Sequence, residues 1–269
     1  MTPMRPVRDA FTVDAAALAR MIDAGRAAGV RPICAVGNAG TVNTGAVDDL
    51  PALADLAARE GLWFHVDGAF GALACLSPGL RPIVAGMERA DSLTFDFHKW
   101  LYLPYEIGVT LVRDAEAQRR AFSLTPDYLV HGERGLAAGL WFSDYGVQLS
   151  RGFRALKAWM HLKEHGADKL GRLIGQNVAQ ARYLAALVER SPELELMAPV
   201  PLNIVCFRWR APGRGEADLD ALNQEILIRL QESGVAAPSS TRVRGRYALR
   251  AAITNHRSRR EDFDAMIAG

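Results

Sequence analysis

Cysteine is scarce in this 269-residue chain: Cys34, Cys75 and Cys206 lie far apart and are odd in number. That excludes a disulfide framework and the paired spacing of a zinc site, and leads us to expect buried, reduced thiols. No apolar run is long enough to span a bilayer. The N-terminus lacks the apolar stretch of a secretion signal, so a cytoplasmic protein is expected. Charge of one sign is lacking too. The formal net charge is +2 and the basic residues are scattered, so nothing argues for nucleic acid or an anionic membrane as a partner. The densest basic stretch, Arg257 to Arg260, reads as a solvated face. Repeats and low-complexity segments are absent. What is abundant is apolar side chain, 49% of residues, enough for one large core or two modest ones.

The periodicities alternate between helix and strand. Asp14 is placed to cap a helix running to Ala28, with Leu18, Met21 and Ile22 on one face and Gly29 at its end. Arg31 to Val36 reads as a buried strand, followed by a Gly-, Asn- and Thr-rich loop to Gly45. Asp48, Asp49 and Pro51 open a second helix that Gly61 closes. A strand then runs to Asp67, a short helix lies near Pro82 to Met87, and strands follow to His98 and over Gly108 to Arg113. This order is that of a mostly parallel sheet covered by helices. Helices are expected over Gly152 to Gly166 and Asp168 to Glu189, the second with Leu170, Ile174, Val178, Ala181 and Leu184 in a stripe. After Pro192 the pattern changes to strands at Leu194 to Met197, Leu202 to Trp209 and Tyr247 to Ile253, with a helix over Asp218 to Ser233. We therefore divide the chain into residues 1–191, part of a large α/β domain, and residues 192–269, a small C-terminal α/β domain.

Two stretches carry chemistry. Leu93 to Leu101 ends an apolar run on His98 and Lys99. A lysine among apolar neighbours has its ammonium form disfavoured, and the neutral amine condenses with carbonyls. Leu62 to Gly71 ends a second run on Asp67 and small residues. Read singly, Lys99 is as well explained as a solvated strand-end cation and Asp67 as a turn-capping carboxylate. Together, an amine and a carboxylate at the C-terminal ends of neighbouring strands are what pyridoxal phosphate requires. The lysine holds its aldehyde and the aspartate pairs with its protonated ring nitrogen. His65 shares a strand face with Asp67 by the period of two. No further ligand cluster accompanies them, so no metal centre is expected.

HVDGAFG (65–71), followed by ADSLTFDFHKWLYLPYEIGVTLVRD (90–114), resembles the group II pyridoxal-phosphate amino-acid decarboxylases, most nearly their aromatic-L-amino-acid branch. The resemblance extends to Gly40 through Asp48, Phe122 through Leu129 and Leu149 through Lys157, in family order. It implies the fold type I architecture, represented by part of the large domain plus the C-terminal domain. It also implies a small-molecule amino-acid substrate and a homodimer as the full-length assembly. The implied reaction is α-decarboxylation, with pyridoxal 5′-phosphate covalent at Lys99, Asp67 holding the ring protonated and Tyr128 protonating the α-carbon from a catalytic loop. By the same resemblance His98, Ala69, Asp96 and Thr41 face the cofactor, and Arg250 meets the substrate carboxylate. Trp141, Phe142 and Tyr145 could line a substrate pocket or simply pack; Arg151 and Arg154 read as ion-pair formers at a helix start.

The sequence departs from the family pattern at two of these places. Val42 stands where relatives have the second threonine of Gly-Thr-Thr, and Asp96 stands where the best-known relatives have an asparagine near the phosphate. Family chains are also much longer. The portion without a counterpart here carries the phosphate loop, the histidine that stacks on the ring, the first strands of the sheet and the dimer-building helices. An exposed sheet edge and apolar face are therefore expected. Other pyridoxal-phosphate chemistry (a carbon–carbon lyase or aminotransferase) and a catalytically inert fragment stay open, as do glutamate, diaminobutyrate and cysteine-sulfinate as substrates.

Overall fold

In the computed structural model, which describes residues 11–123, 132, 134–135 and 138–269, the first element described is helix α1 (Ala15–Ala27). The Asp14 carboxylate accepts the Ala17 N–H, satisfying one of the helix's orphan donors. Strand β1 (Cys34–Asn38) and helix α2 (Leu50–Glu60) follow. Helix α2 is capped by Asp49, carries Pro51 in its first turn and stops at Gly61, whose φ of 63° suits a residue without a side chain. Strand β2 (Trp63–Asp67) leads into 3₁₀ turns at Ala72–Leu76, Arg81–Val84 and Met87–Arg89. Strand β3 (Ser92–Asp96), helix α3 (Phe97–Trp100) and strand β4 (Gly108–Val112) complete the first sheet. Its order is β1-β2-β3-β4, parallel through β3 and antiparallel at β4.

Burial alternates along β1 and β2. Ala35, Phe64 and Val66 are buried with Leu50, Leu53 and Leu56 of α2, while Val36 and Trp63 on the opposite face are 47% and 37% exposed. The strand expected to be buried is thus covered on one side only, and it forms the edge of its sheet. For the same reason Cys34, one of three expected buried thiols, is exposed; Cys75 is intermediate and Cys206 buried.

Beyond the first sheet lie helix α4 (Ala115–Phe122), a 3₁₀ turn at Phe142–Tyr145 and helix α5 (Arg154–Arg190). Helix α5 bends at Gly166, where φ 71° and ψ 157° are non-helical, so the two helices expected on either side of this glycine meet at a kink. The second sheet has the order β5-β6-β8-β7 and is antiparallel throughout. Its strands are β5 (Leu194–Leu196), β6 (Ile204–Trp209), β7 (Ser239–Val243) and β8 (Arg246–Ala252). Helix α6 (Glu216–Glu232) packs on it, and helix α7 (Arg260–Ala268) packs against α5.

Helices α4 and α7 and strand β7 escape the periodicity reading. They are short, and α7 begins inside the basic stretch that reads as a solvated face. There, Arg260 starts a helix and its guanidinium lies 5.1 Å from the Tyr183 ring centroid, an attraction that recruits the charge into packing. Helix α5 joins the two cores: Leu170, Ile174 and Val178 belong to the first, and Ala181, Leu184 and Val188 to the second. No helix among the described residues is long and apolar enough to cross a membrane.

Candidate active site

The segments that follow β1, β2 and β3 meet at one end of the first sheet. Gly71 N–H donates to Ala39 O (2.9 Å), Ala39 N–H to Asp67 O (2.8 Å) and Gly68 N–H to Thr94 O (2.8 Å). The approach is close enough to demand glycine: a Cβ on Gly71 would stand 2.5 Å from the Ala39 carbonyl oxygen.

Asp67 ends β2 on the face of Trp63 and His65, opposite buried Phe64 and Val66. It is exposed, and one carboxylate oxygen accepts the Ala69 N–H at 3.0 Å. Ala69 therefore holds the carboxylate in place through its backbone. Beneath it, Trp63 Nε1–H donates to Ser92 Oγ (2.8 Å), which lies 2.8 Å from His65 Nδ1. The His65 ring is thus fixed by side chains of the same sheet face.

Lys99 corrects the expectation of a strand end. β3 stops at Asp96, and Lys99 sits within the single turn of α3. That turn brings its amine back to 2.7 Å from Asp96 Oδ2, so the aspartate that departs from the family pattern is turned toward the lysine. Ile107 N–H donates to His98 Nδ1 (3.0 Å), and the ring lies 4.3 Å from that of Tyr105. An Nδ1 that accepts this bond leaves the ring hydrogen on Nε2.

Two further links draw in the distant candidates. Trp100, fully buried, stacks at 6.1 Å on Phe70 in the loop after Asp67. Arg250 of β8 places its guanidinium 5.9 Å from the same Phe70 ring, and donates to Val42 O (2.8 Å) and Ser239 Oγ (3.2 Å). It has no carboxylate partner among the described residues. Burial draws its pKa below the usual arginine value, and the fork stays charged. The Thr41 hydroxyl accepts the Ala46 N–H (3.1 Å) and lies 3.0 Å from Thr44 Oγ1, so it is engaged in shaping its own loop. Arg154 makes the expected ion pair, with Glu106. Phe142 is largely exposed. Tyr128 lies outside the described residues.

An amine on a short turn, a carboxylate open at the adjacent strand end, an imidazole with its Nδ1 engaged and a guanidinium without a carboxylate partner among the described residues are groups of the kind that pyridoxal phosphate and an amino-acid carboxylate require. Sequence reasoning missed the supports of this set: Ser92 under His65, Phe70 and Trp100 between the loops, and Asn177 behind Trp100. Asn177 did leave a signal, a polar residue within the apolar stripe of α5.

Residues 4–210 match the family model described as the pyridoxal-dependent decarboxylase conserved domain. The chain is 34% identical over 251 residues to an aromatic-L-amino-acid decarboxylase of Bacillus atrophaeus, covering 93% of this chain and 52% of that protein. It is 35% identical over 248 residues to tryptophan decarboxylase 1 of Oryza sativa, covering 90% and 48%. Among solved structures, Oryza sativa TDC with PLP and tryptamine superposes with a TM-score of 0.87 at 32% identity, over 95% of this chain and 53% of that one. Mouse CSAD superposes at 0.88 and 26% identity, over 97% and 56%. The chain thus spans about half the length of the relatives it matches. On this evidence of sequence and fold, the chain belongs to the pyridoxal-dependent decarboxylase family.

Proposed function

We propose that the protein of which these residues are the catalytic portion removes the α-carboxyl of an L-amino acid, releasing the amine and carbon dioxide, with aromatic amino acids as substrates. The observation that carries this reading is the Lys99 turn, which presents an amine beside Asp96 at the end of the sheet where Asp67 also emerges. The relatives named for tryptophan and tyrosine decarboxylation support the aromatic class.

Pyridoxal phosphate, when bound, supplies the electron sink for cleavage at the α-carbon. Each protein group then has a defined task. Lys99 offers the amine that attaches the aldehyde and later frees the product, and Asp96 holds that amine at the mouth of its turn. The Asp67 carboxylate, steadied by Ala69 N–H, keeps a proton on the ring nitrogen. His98 presents Nε2–H to the site while Nδ1 is occupied by Ile107. Arg250 grips the substrate carboxylate, and the loop shaped by Thr41 carries the Val42 carbonyl that orients Arg250. Tyr128 delivers the proton to the α-carbon.

Assembly as a homodimer and a cytoplasmic location complete the proposal. Phe153, 75% exposed just before α5, and Trp159, 60% exposed, with Leu156 and Met160 on the first half of that helix, support burial against a second copy. The free cysteines support a reducing compartment.

The test is addition of pyridoxal phosphate to the chain, borohydride trapping and peptide mass spectrometry. Attachment at Lys99, lost in Lys99→Ala, is expected. Carbon dioxide release from aromatic L-amino acids by the full-length enzyme separates decarboxylation from transamination, which would yield a keto acid. The open face of Val36 and Trp63 favours a second reading, a catalytically inert fragment. Absence of any attachment would select it.

A further inference from the structure

Asn177 lies midway along α5, at the changeover between the two cores, and is fully buried. Its Oδ1 accepts from both Trp100 Nε1–H (3.1 Å) and Tyr102 O–H (2.8 Å). Its Nδ2 donates to Gln180 Oε1 (3.1 Å) and to Asn255 O (3.0 Å). The amide's hydrogen-bonding capacity is therefore used in full, and its orientation is determined. Both acceptor bonds come from the residues just after Lys99. Tyr102 adopts a left-handed φ of 61°, a conformation that costs a non-glycine residue energy and persists only where surroundings hold it. The donor bond to Asn255 reaches the segment that leaves the strand carrying Arg250.

We propose that Asn177 is a positioning residue for Lys99: one buried amide sets the register of the Lys99 turn against the strand of Arg250. The proposal rests on the reading of Lys99 as the reactive amine, and its first test needs no cofactor. With Leu at 177, Trp100 and Tyr102 lose their common acceptor, the turn loosens and the contact between Lys99 and Asp96 opens.

The experiment compares Asn177→Leu with Asn223→Leu. Asn223 is an equally buried asparagine that ties Trp209 to α6 in the small domain, remote from Lys99 in its contacts. Acylation of each lysine by acetic anhydride is followed by peptide mass spectrometry, with exposed Lys163 as internal reference. Lys99 acylation is expected to rise several-fold in Asn177→Leu and to stay unchanged in Asn223→Leu. Tyr102→Phe, a milder change should the leucine variant fail to fold, should move Lys99 in the same direction. Covalent attachment of pyridoxal phosphate should slow on the order of tenfold to a hundredfold in Asn177→Leu, the scale set by misplacing a reacting group. Equal changes at Lys99 in the two asparagine variants, or no change in Asn177→Leu or Tyr102→Phe, would overturn the proposal. A wild-type chain that takes up no pyridoxal phosphate would instead sink the reading of Lys99 as cofactor anchor, leaving the acylation result to decide the role of Asn177.

Discussion

The carboxylate of Asp96 and the amine of Lys99 stand 2.7 Å apart across the single turn that separates strand β3 from the rest of the chain. The pair sits at the mouth of the site, with the aspartate side chain 21% and the lysine side chain 36% exposed. Water screens a pair so placed, so its effect is to aim the amine more than to stabilise the fold.

A double-mutant cycle with Asp96→Ala and Lys99→Ala should therefore give a coupling of about 0.5–1 kcal/mol in urea unfolding. Lys99 acylation in Asp96→Ala should rise above wild type. A coupling several times larger would make the pair a structural ion pair and remove its orienting role.

Gly71→Ala should destabilise by about 1–3 kcal/mol, the usual cost of overpacking, because the new methyl meets the Ala39 carbonyl and the Leu202 side chain. Gly152→Ala, with nothing within 4 Å of the added carbon, serves as the control. Chemical denaturation of the two variants checks this. Near-equal midpoints would show that the loops after β1 and β2 are not in tight contact.

Alkaline pH should weaken the fold through Cys206. Burial pushes this thiol from 9.0 up to about 11, and its Sγ–H donates to Asn43 O. Between pH 9 and about 11 the unfolded chain loses this proton while the folded chain keeps it. Stability therefore falls with rising pH across that window, by at most about 2–3 kcal/mol. Burial pushes Tyr102 upward as well, which adds to the loss above pH 10. Cys206→Ala should flatten the decline between pH 9 and 11, and unfolding measured at each pH in the two proteins decides the matter.

His98→Ala should cost about 1–3 kcal/mol, since it strands the buried Ile107 N–H that His98 Nδ1 accepts. Nitrogen NMR of the wild-type ring should show the proton on Nε2. A ring protonated on Nδ1 would contradict the hydrogen bond.

Much of this site is legible without coordinates. Asp67 and His65 share a face because a strand alternates, and β1, α2 and β2 fall near their expected places because Asp49, Pro51 and Gly61 punctuate the chain. Lys99 is legible as a residue but not as a conformation. The run to His98 has strand composition throughout, yet Phe97 N–H bonds the Ile107 carbonyl and the chain turns into α3, a choice made by a loop ten residues away. Strand β7 was invisible for a similar reason. Ser239 to Val243 has little strand character of its own and is held by pairing along the length of β8.

What the sequence determined by itself is the chemical inventory and its order: an acid, then a histidine and lysine, then a distant arginine, each tied to an element by local pattern. Tertiary structure alone decided what each of them touches. Arg250 reaches Val42 across 208 positions of chain, and Asn177 reaches Trp100 and Tyr102 across 77 and 75. Local periodicity carries no information at such separations, because these contacts exist only after two cores have closed around one shared helix.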